Sequence, residues 1–397
     1  MRLPRIVGGF LVVLAVMATS PVLGADLWVA GWGSHNVLRY DADTGAFLGE
    51  LVPNGTGGLR NAHSIRRGPD DRLYVTSNNN AMVLRFETNG TLVDTFVTPG
   101  SGGLFGPADG IFGPDGNFYV SDIVVGQVLR YSGVTGAFLD VFVPAGSGGL
   151  SAAEQLEFRG GLLYVCSGDG TVKRYDDATG NFVDTFCSGG GLSGPHGLLF
   201  MPGDDILVGS FGGSRQVLRY KGGDGAFDSV FVPTNSGSLT QPHHMVYGPD
   251  GNLYVASFGN NRILRYDGGT GDFIDIFVGS GNGLASPSAI LFEEVPSSVD
   301  DLAGNASSLE IQSIYPNPAR GSQTIELRIE EPGTHTVGLF DAQGRLVQNF
   351  RLTDRRSGSH SFDWNGRTAS GQTAAGVYYL RPATESTSQG VKIVRLR

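Results

Sequence analysis

The chain has 397 residues, a formal net charge of −10 and 62 glycines. An acidic balance disfavours a nucleic-acid-binding protein, because such binding depends on basic surfaces. The glycine content indicates many tight turns, since glycine accepts backbone conformations that other residues avoid. We therefore expect no nucleic-acid partner and a fold with many short connections between strands.

The first segment has the pattern of a secretory signal. Arg2 and Arg5 supply positive charge, residues 6–17 form an apolar run, and Val22-Leu23-Gly24 fits a small-residue cleavage site. The apolar run is short for a membrane span, and no other long apolar segment follows. The pattern predicts that residues 1–24 are a signal peptide and that the mature chain is exported without a transmembrane segment.

A unit of about forty-five residues recurs six times between Ala25 and Pro296. Its clearest motif is Val-Leu-Arg-Tyr or a close variant, and successive copies of the motif are 44 to 46 residues apart. A fixed period of this length with strand-like patterning is typical of a β-propeller blade. The arginines of the motif are Arg39, Arg85, Arg130, Arg174, Arg219 and Arg265.

Each unit predicts four short strands, which we label a to d, and one unit places them at 242–247, 253–257, 262–266 and 273–278. The array begins with a strand b at Leu27-Trp28-Val29 and ends with a strand a at 288–292. Pairing of these two strands would close a ring and remove the free sheet edges. The predicted fold is all-β, a six-bladed β-propeller at residues 25–296 that is closed by its N- and C-terminal strands.

Residues that recur in every unit are expected to be architectural, because a chemical site needs one group in one place. The arginines of the motif are predicted to pair with acidic residues of the neighbouring strand d as cross-strand ion pairs. These acidic residues are Asp94, Asp140, Asp184 and Asp275.

The repeat also carries a family resemblance. The sequences Gly-Pro-Asp-Gly-Asn-Leu-Tyr-Val-Ala-Ser at 248–257 and Arg-Ile-Leu-Arg-Tyr-Asp at 262–267 have variants in the other units. With them, roughly two thirds of the chain resembles the NHL-type propellers and their relatives, the streptogramin B lyases and gluconolactonase-like proteins. The resemblance implies a propeller fold and, in lyase-like members, functional histidines and carboxylates in the channel, some of which bind a metal. It does not fix an activity, because such propellers serve as scaffolds, lyases and hydrolases.

The start of strand a differs from unit to unit, and this innermost strand lines the central channel of a propeller. The residues at this position are His63, Ala108, Glu154, His196, His243 and Ser288, with Asp109 as an alternative in the second unit. Three of the five histidines of the propeller region therefore fall at one repeat position.

Imidazoles that converge with a carboxylate can bind a divalent metal ion, zinc or calcium, or act as general acids and bases near neutral pH. We predict His63, His196, His243 and Glu154 as candidate metal ligands. His196, His243 and Glu154 are also the candidate catalytic groups. The alternative, which the sequence leaves open, is a polar channel mouth that binds only water.

Aromatic residues follow strand b in three units, on the face where strand a begins. They are Trp32, Phe211 and Phe258, and with Asp109 they are the predicted ligand-binding residues. Aromatic rings around a polar mouth could bind an extracellular sugar, peptide or protein. The alternative is that these rings only cap the ends of the blades.

The composition changes after Pro296. Residues 297–308 are small and polar and are predicted to form a linker. The following segment contains Tyr315-Pro-Asn-Pro318, Leu339-Phe-Asp-Ala-Gln-Gly-Arg345, Gly376-Val-Tyr-Tyr379 and an alternating basic strand at 391–397. These motifs resemble the C-terminal sorting domains of type IX secretion cargo, which share a pattern with flagellar hook-capping Ig-like domains. The resemblance implies a small Ig-like β-sandwich at 309–397 that engages the secretion machinery and leaves the protein secreted or at the cell surface.

Two functions from different classes remain open. We favour an exported or cell-surface binding protein, not an enzyme, with its ligand or partner on the channel-mouth face. The alternative is a metal-assisted lyase or lactonase that uses the channel histidines and glutamate. The metal content of the purified protein, with and without His196→Ala and His243→Ala, distinguishes the two.

Overall fold

A computed structural model describes most of the chain outside the predicted signal and linker. The described residues are 26–201, 203–293 and 309–396, the last range with gaps at 318, 330–332, 342–345, 369–370, 373–374 and 383–390. The predicted signal at 1–24 and linker at 297–308 lie outside them. Residues 26–293 belong to one compact unit and residues 309–396 to another. Within these ranges no helix is long and apolar enough to cross a membrane.

The first unit is built of twenty-four short strands. They are β1 Asp26–Gly31, β2 Asn36–Asp41, β3 Phe47–Val52, β4 Ala62–Arg67, β5 Leu73–Ser77, β6 Met82–Phe86, β7 Leu92–Val97, β8 Pro107–Phe112, β9 Phe118–Asp122, β10 Gln127–Tyr131, β11 Phe138–Val143, β12 Leu156–Arg159, β13 Leu162–Ser167, β14 Thr171–Asp176, β15 Phe182–Cys187, β16 Pro195–Phe200, β17 Ile206–Ser210, β18 Val217–Tyr220, β19 Phe227–Val232, β20 Pro242–Tyr247, β21 Leu253–Ser257, β22 Arg262–Tyr266, β23 Phe273–Val278 and β24 Pro287–Phe292. Short 3-10 turns lie between some of them, at Thr56–Gly58, Asn78–Asn80, Ser101–Gly103, Ser147–Gly149, Ser236–Ser238 and Phe258–Asn260.

These strands form six four-stranded antiparallel sheets within residues 26–293. Five sheets contain four strands that are consecutive in the chain, and the sixth has the order β24-β1-β2-β3. In that sheet β24 pairs with β1, so that Leu27 lies opposite Phe292 and Val29 opposite Ile290. The inner strands of neighbouring sheets contact one another at five of the six steps around the ring, and at the sixth β13 contacts β16. The predicted all-β propeller, closed by strands from both ends of the repeat array, is confirmed.

The repeated Val-Leu-Arg-Tyr motif holds each sheet against its neighbours. In β18 the side chains of Val217, Leu218 and Tyr220 are fully buried, whereas Arg219 is only partly buried. In four sheets the tyrosine hydroxyl donates to a backbone carbonyl in the preceding connection, as in the 2.9 Å bond from Tyr220 to Gly189. Such a bond satisfies the one polar atom of a buried ring, which explains why tyrosine suits this position.

The arginines of the motif pair with strand d as the sequence predicts in four sheets. The shortest N–O distances are 2.5 Å for Arg85–Asp94, 2.5 Å for Arg130–Asp140, 2.6 Å for Arg174–Asp184 and 2.5 Å for Arg265–Asp275. Each pair is made through two parallel hydrogen bonds, the geometry that a planar guanidinium and a carboxylate favour. These residues are therefore part of the scaffold.

The second unit is a small β-sandwich. Its strands are β25 Leu309–Tyr315, β26 Gln323–Ile329, β27 Gly333–Asp341, β28 Leu346–Arg355, β29 Gly358–Trp364, β30 Arg367–Thr368, β31 Gly371–Gln372, β32 Gly376–Pro382 and β33 Val391–Arg395. One sheet has the order β25-β26-β29 and the other β28-β27-β32-β33. Buried residues of both sheets, among them Leu327, Leu339 and Trp364, form one hydrophobic core. This packing confirms the predicted β-sandwich.

Candidate functional site

The inner strand of the sheets begins with an irregularity that shapes the channel. In the pairing of β4 with β5, Ala62 lies opposite Ser77 and Ile65 opposite Val75, so His63 and Ser64 together face one residue. The same register shift occurs at the start of β8 and of β20. A β-bulge of this kind re-aims side chains, and here two consecutive residues of an inner strand line the channel.

These paired positions surround a small cavity at one mouth of the channel. The first residues of each pair are His63, Ala108, Glu154, His196, His243 and Ser288, and the second residues include Ser64, Asp109, Gln155, His244 and Ala289. The cavity has a volume of about 10 Å³, close to the space that one water molecule requires. It can hold a water molecule or a single ion, and it excludes an organic ligand.

Four of the predicted residues converge in this cavity, and we call His63, Glu154, His196 and His243 the axial cluster. The Nε2 atom of His63 lies 3.8 Å from Oε2 of Glu154, and Nε2 of His196 lies 3.4 Å from Oε1. The ring of His243 is 4.9 Å from each of the other two imidazoles, measured between centroids. One ligand atom each from His63, Glu154 and His243 lie within 4.8 Å of one another.

Burial controls the charges of the axial cluster. Desolvation lowers the pKa of His63 to about 4 and that of His196 to about 3. Burial and the neighbouring imidazoles hold the pKa of His243 well below its ordinary value. Burial, reinforced by the charge of Asp109, raises the pKa of Glu154 well above the usual range. At neutral pH the histidines are thus uncharged, with ring lone pairs available to a metal ion.

The imidazole rings are held in place by their surroundings. His63 forms a hydrogen bond with the backbone of Ala108, and His243 forms one with the backbone of Ser288. Phe211 stacks on the ring of His196 at 3.9 Å between centroids and an interplanar angle of 5°. Hydrogen bonds of this type fix a ring and leave its second nitrogen free to face a ligand.

A buried ion pair supports the cluster from below. Burial alone would raise the pKa of Asp109, but the guanidinium of Arg66 and two hydrogen-bond donors lower it to about 2. Arg66 donates to both carboxylate oxygens at 3.1 and 2.7 Å, Ser64 Oγ donates at 2.6 Å, and the N–H of Leu156 donates at 3.2 Å. The register of β8 places Ala108, not Asp109, at the position equivalent to His63 in β4. Because the carboxylate of Asp109 is committed to these donors, we assign it a structural role.

Sequence reasoning missed the residues of this deeper layer. Arg66, which is partly buried, and His244, which is buried, both lie near Asp109, and the backbone N–H of Ile290 donates to Nδ1 of His244 at 3.3 Å. A signal was present in the sequence, because consecutive polar residues such as His243-His244 break the alternation expected of a strand.

The three predicted aromatic residues lie side by side along one part of the channel mouth. The centroid of Trp32 is 5.9 Å from that of Phe258, and Phe258 is 5.5 Å from Phe211. Phe258 also stacks on His243 at 5.4 Å. The aromatic row therefore packs directly against the axial cluster, so it supports the histidines whether or not it also contacts a ligand.

The axial cluster fits a zinc ion better than a calcium ion. Zinc prefers imidazole and carboxylate ligands at about 2.0–2.1 Å in a tetrahedral arrangement, which places ligand atoms about 3.3 Å apart. The observed separations of 3.4 and 3.8 Å lie close to that value, and the ligand atoms of His63, Glu154 and His243, which lie within 4.8 Å of one another, would draw together around a bound ion. Calcium requires six or more oxygen ligands, and the cluster offers one carboxylate among three imidazoles. The buried Oε1 of Glu154, which accepts no hydrogen bond within residues 26–293, is a free ligand atom in the cavity.

Residues 315–388 match the family model of the FlgD Ig-like domain. The match lies in the β-sandwich and does not extend to the propeller. Comparison with curated proteins found no match for the chain.

Several solved structures share the fold. A protein of unknown function from Bacteroides caccae is 14% identical with a TM-score of 0.52, over 68% of this chain and 100% of that one. Virginiamycin B lyase from Staphylococcus aureus is 15% identical with a TM-score of 0.49, over 70% and 92%. PorZ, a surface component of the type IX secretion system of Porphyromonas gingivalis, is 15% identical with a TM-score of 0.42, over 91% of this chain and 54% of PorZ. The first likeness supports the fold alone, and the other two are too distant to support a function.

Proposed function

We propose that this protein is an exported β-propeller binding protein whose axial cluster holds one divalent metal ion, zinc by its ligand set, and whose channel-mouth face receives a ligand. Glu154 carries this proposal. Glu154 is 2% exposed, and its Oε1 atom has no hydrogen-bond partner within residues 26–293. A buried carboxyl group without a partner is costly, and a bound cation would remove that cost.

Each residue of the site has a part in holding the ion. His63, His243 and Glu154 supply three ligand atoms that lie within 4.8 Å of one another. The Nε2 atom of His196 lies 3.4 Å from Oε1 of Glu154, and the ring of Phe211 stacks on this imidazole. Ala108 and Ser288, which lie on either side of His63 around the ring, offer no strong ligand, so the ring of ligands is incomplete at two positions. A zinc ion would supply a Lewis acid at the channel mouth.

The test is zinc binding to the mature full-length protein. After removal of metal with a chelator, titration calorimetry and elemental analysis should show one zinc per chain, with a higher thermal midpoint when zinc is present. His243→Ala and Glu154→Gln should weaken zinc binding by about two orders of magnitude. Ser288→Ala, at the equivalent position of another unit, should retain full stoichiometry. A wild-type protein that takes up no stoichiometric zinc and shows no thermal shift contradicts the proposal.

A metal-assisted lyase or lactonase is the second candidate, because a specific observation favours it. The raised pKa of Glu154 keeps a proton on its carboxyl group beside neutral imidazoles, which is the arrangement of a general acid next to potential bases. The test is turnover of a panel of simple lactones by wild-type protein and by Glu154→Gln, with the zinc content of each protein measured and each compared with and without saturating zinc. Equal rates for the two proteins would exclude this candidate while leaving zinc binding intact.

For the C-terminal unit we infer a role in export. The predicted signal at 1–24, the sorting-domain motifs and the Ig-like match together support it. Deleting residues 309–397 should leave a folded propeller in the periplasm, measured by cell fractionation and by retained zinc binding. Normal release of the truncated protein would refute this role.

A further inference from the structure

The arginines of the propeller fall into two groups. Residues 26–293 contain thirteen arginines, and ten of them form an ion pair with an aspartate or glutamate. The remaining three, Arg60, Arg215 and Arg262, have no carboxylate partner within that range. All three lie on the face where the inner strands begin: Arg60 precedes β4, Arg215 lies between β17 and β18, and Arg262 opens β22.

The acidic residues on this face are already satisfied. Asp122 is fully buried and accepts backbone hydrogen bonds, among them those of Phe105 at 2.8 Å and Val124 at 3.0 Å. Asp169 pairs with the ammonium group of Lys173 at 2.7 Å. Hydrogen bonds leave the charge of Asp122 in place, but the three unpaired arginines outnumber it, so positive charge exceeds negative charge among these groups on a chain whose net charge is −10. A local field of this sign favours an anionic ligand.

One of the three free arginines borders a groove. The groove lies between the β17–β18 turn and the β19–β20 connection, next to Phe211, and has a volume of about 420 Å³. This volume is within the range of small-ligand sites, about 300–1,000 Å³. Arg215, Thr234, Asn235 and Gln241 also line it. The groove is thus large enough for one or two sugar rings, unlike the axial cavity.

The side chains of the groove offer a defined set of contacts. His196 stacks on one face of Phe211 and holds that ring in place, so the groove has a rigid apolar wall. The side-chain amides of Asn235 and Gln241 form no hydrogen bond within residues 26–293. Each amide offers donors and acceptors that suit hydroxyl groups. The guanidinium of Arg215 is exposed, and its planar fork matches a carboxylate.

We propose that this groove binds an acidic saccharide, a uronic acid residue or short uronate oligomer. The sugar ring lies against Phe211, its hydroxyls bond to Asn235 and Gln241, and its carboxylate pairs with Arg215. A short groove with uncommitted amides beside an aromatic wall fits a polyhydroxylated ring better than an extended acidic peptide. This inference depends on the proposed function only for the claim that a ligand occupies the mouth face, and it does not require the metal.

The experiment is titration calorimetry of the full-length protein with di- and trigalacturonate and with their methyl esters, which lack the charge. Wild type should bind the uronates about tenfold or more tightly than the esters, and this preference should shrink at high salt. Arg215→Ala should lose about tenfold in affinity, and Arg215→Lys should lie between. Arg60→Ala, the matched removal of a free arginine elsewhere on the rim, should change affinity by less than about twofold.

Three results would overturn the inference. They are equal binding of uronate and ester, full affinity in Arg215→Ala, and tighter binding of a glutamate-rich peptide than of any uronate. Repeating the titration after chelation, and measuring zinc stoichiometry in Arg215→Ala, separates failure of this groove from failure of the axial cluster. Arg215→Ala should retain one zinc per chain, because Arg215 does not line the axial cavity.

Discussion

Two ion pairs of the propeller share their chemistry, and their carboxylates differ in burial, which gives a sharp stability prediction. Arg66–Asp109 and Arg85–Asp94 are both two-bond pairs, with closest atoms at 2.7 and 2.5 Å. The side chain of Asp109 is 6% exposed, whereas that of Asp94 is 44% exposed. Removing one partner of a buried pair costs about 3–5 kcal/mol, and an exposed pair contributes about 0–1 kcal/mol. Because Arg66 keeps 23% of its side chain exposed, we expect the lower end, about 3 kcal/mol, for Asp109→Asn.

The assay is thermal unfolding of the full-length protein followed by circular dichroism. One kcal/mol shifts the midpoint by about 2–4 °C in a domain of this size, so Asp109→Asn should lower it by about 6–12 °C. Asp94→Asn is the matched control and should lower the midpoint by no more than about 4 °C.

Acid titration supplies a second readout of the same pair. The pKa of Asp109 is lowered from 3.8 to about 2 in the folded protein. A depressed carboxylate pKa stabilises the fold above pH 4, and this contribution, about 2 kcal/mol, is lost as the pH falls from about 4 to about 2. Asp109→Asn should lack this loss. Equal midpoint losses in the two variants, or an unchanged acid profile in Asp109→Asn, would refute the reasoning from burial.

Three further predictions concern stability. The pKa values of His63 and His244 are lowered to about 4 and about 3, so unfolding takes up protons below pH 6.5. The thermal midpoint should therefore decrease as the pH is lowered from 6.5 to 4. A midpoint that does not change over this pH range would contradict the prediction. Glu154→Gln should raise the thermal midpoint of the zinc-free protein at pH 7, because the raised pKa of the Glu154 carboxyl group favours the unfolded state, in which this group ionises. The same variant should show no increase of the midpoint when zinc is added. A zinc-free midpoint below that of the wild type would contradict the prediction. Gly102→Ala should destabilise more than Gly100→Ala, by about 1–3 kcal/mol in denaturant titrations, since both glycines have φ near +70° but only at Gly102 does an added Cβ meet an aromatic ring.

The positions that surround the channel could be predicted because they follow from the repeat. Aligning the units placed His63, Glu154, His196 and His243 at one position of the inner strand, and the structure brings these four side chains into one cavity. The period carries this information because each unit folds into the same four strands.

The layer beneath them could not be predicted, because it depends on the bulge. A strict strand alternation sends every second residue away from the axis, so the partners of Asp109 were not expected in the channel. The bulge is also held by a neighbouring sheet, because Oγ1 of Thr76 accepts a 2.8 Å bond from the N–H of Ser64 and donates to the carbonyl of Ala108 at 3.0 Å. The stacking of Phe211 on His196 depends likewise on side-chain rotamers that local sequence does not specify.

The pairing of β24 with β1 also sets the order in which the propeller can fold. Five sheets form from strands that are adjacent in the chain, and such local pairing is fast. The remaining sheet pairs Leu27 with Phe292, so it can form only after almost the entire propeller has left the ribosome. Until then β1 keeps an open edge that can pair with other chains. A chain that ends before Phe292 cannot complete this sheet, and it should accumulate as an aggregate however well its other sheets fold.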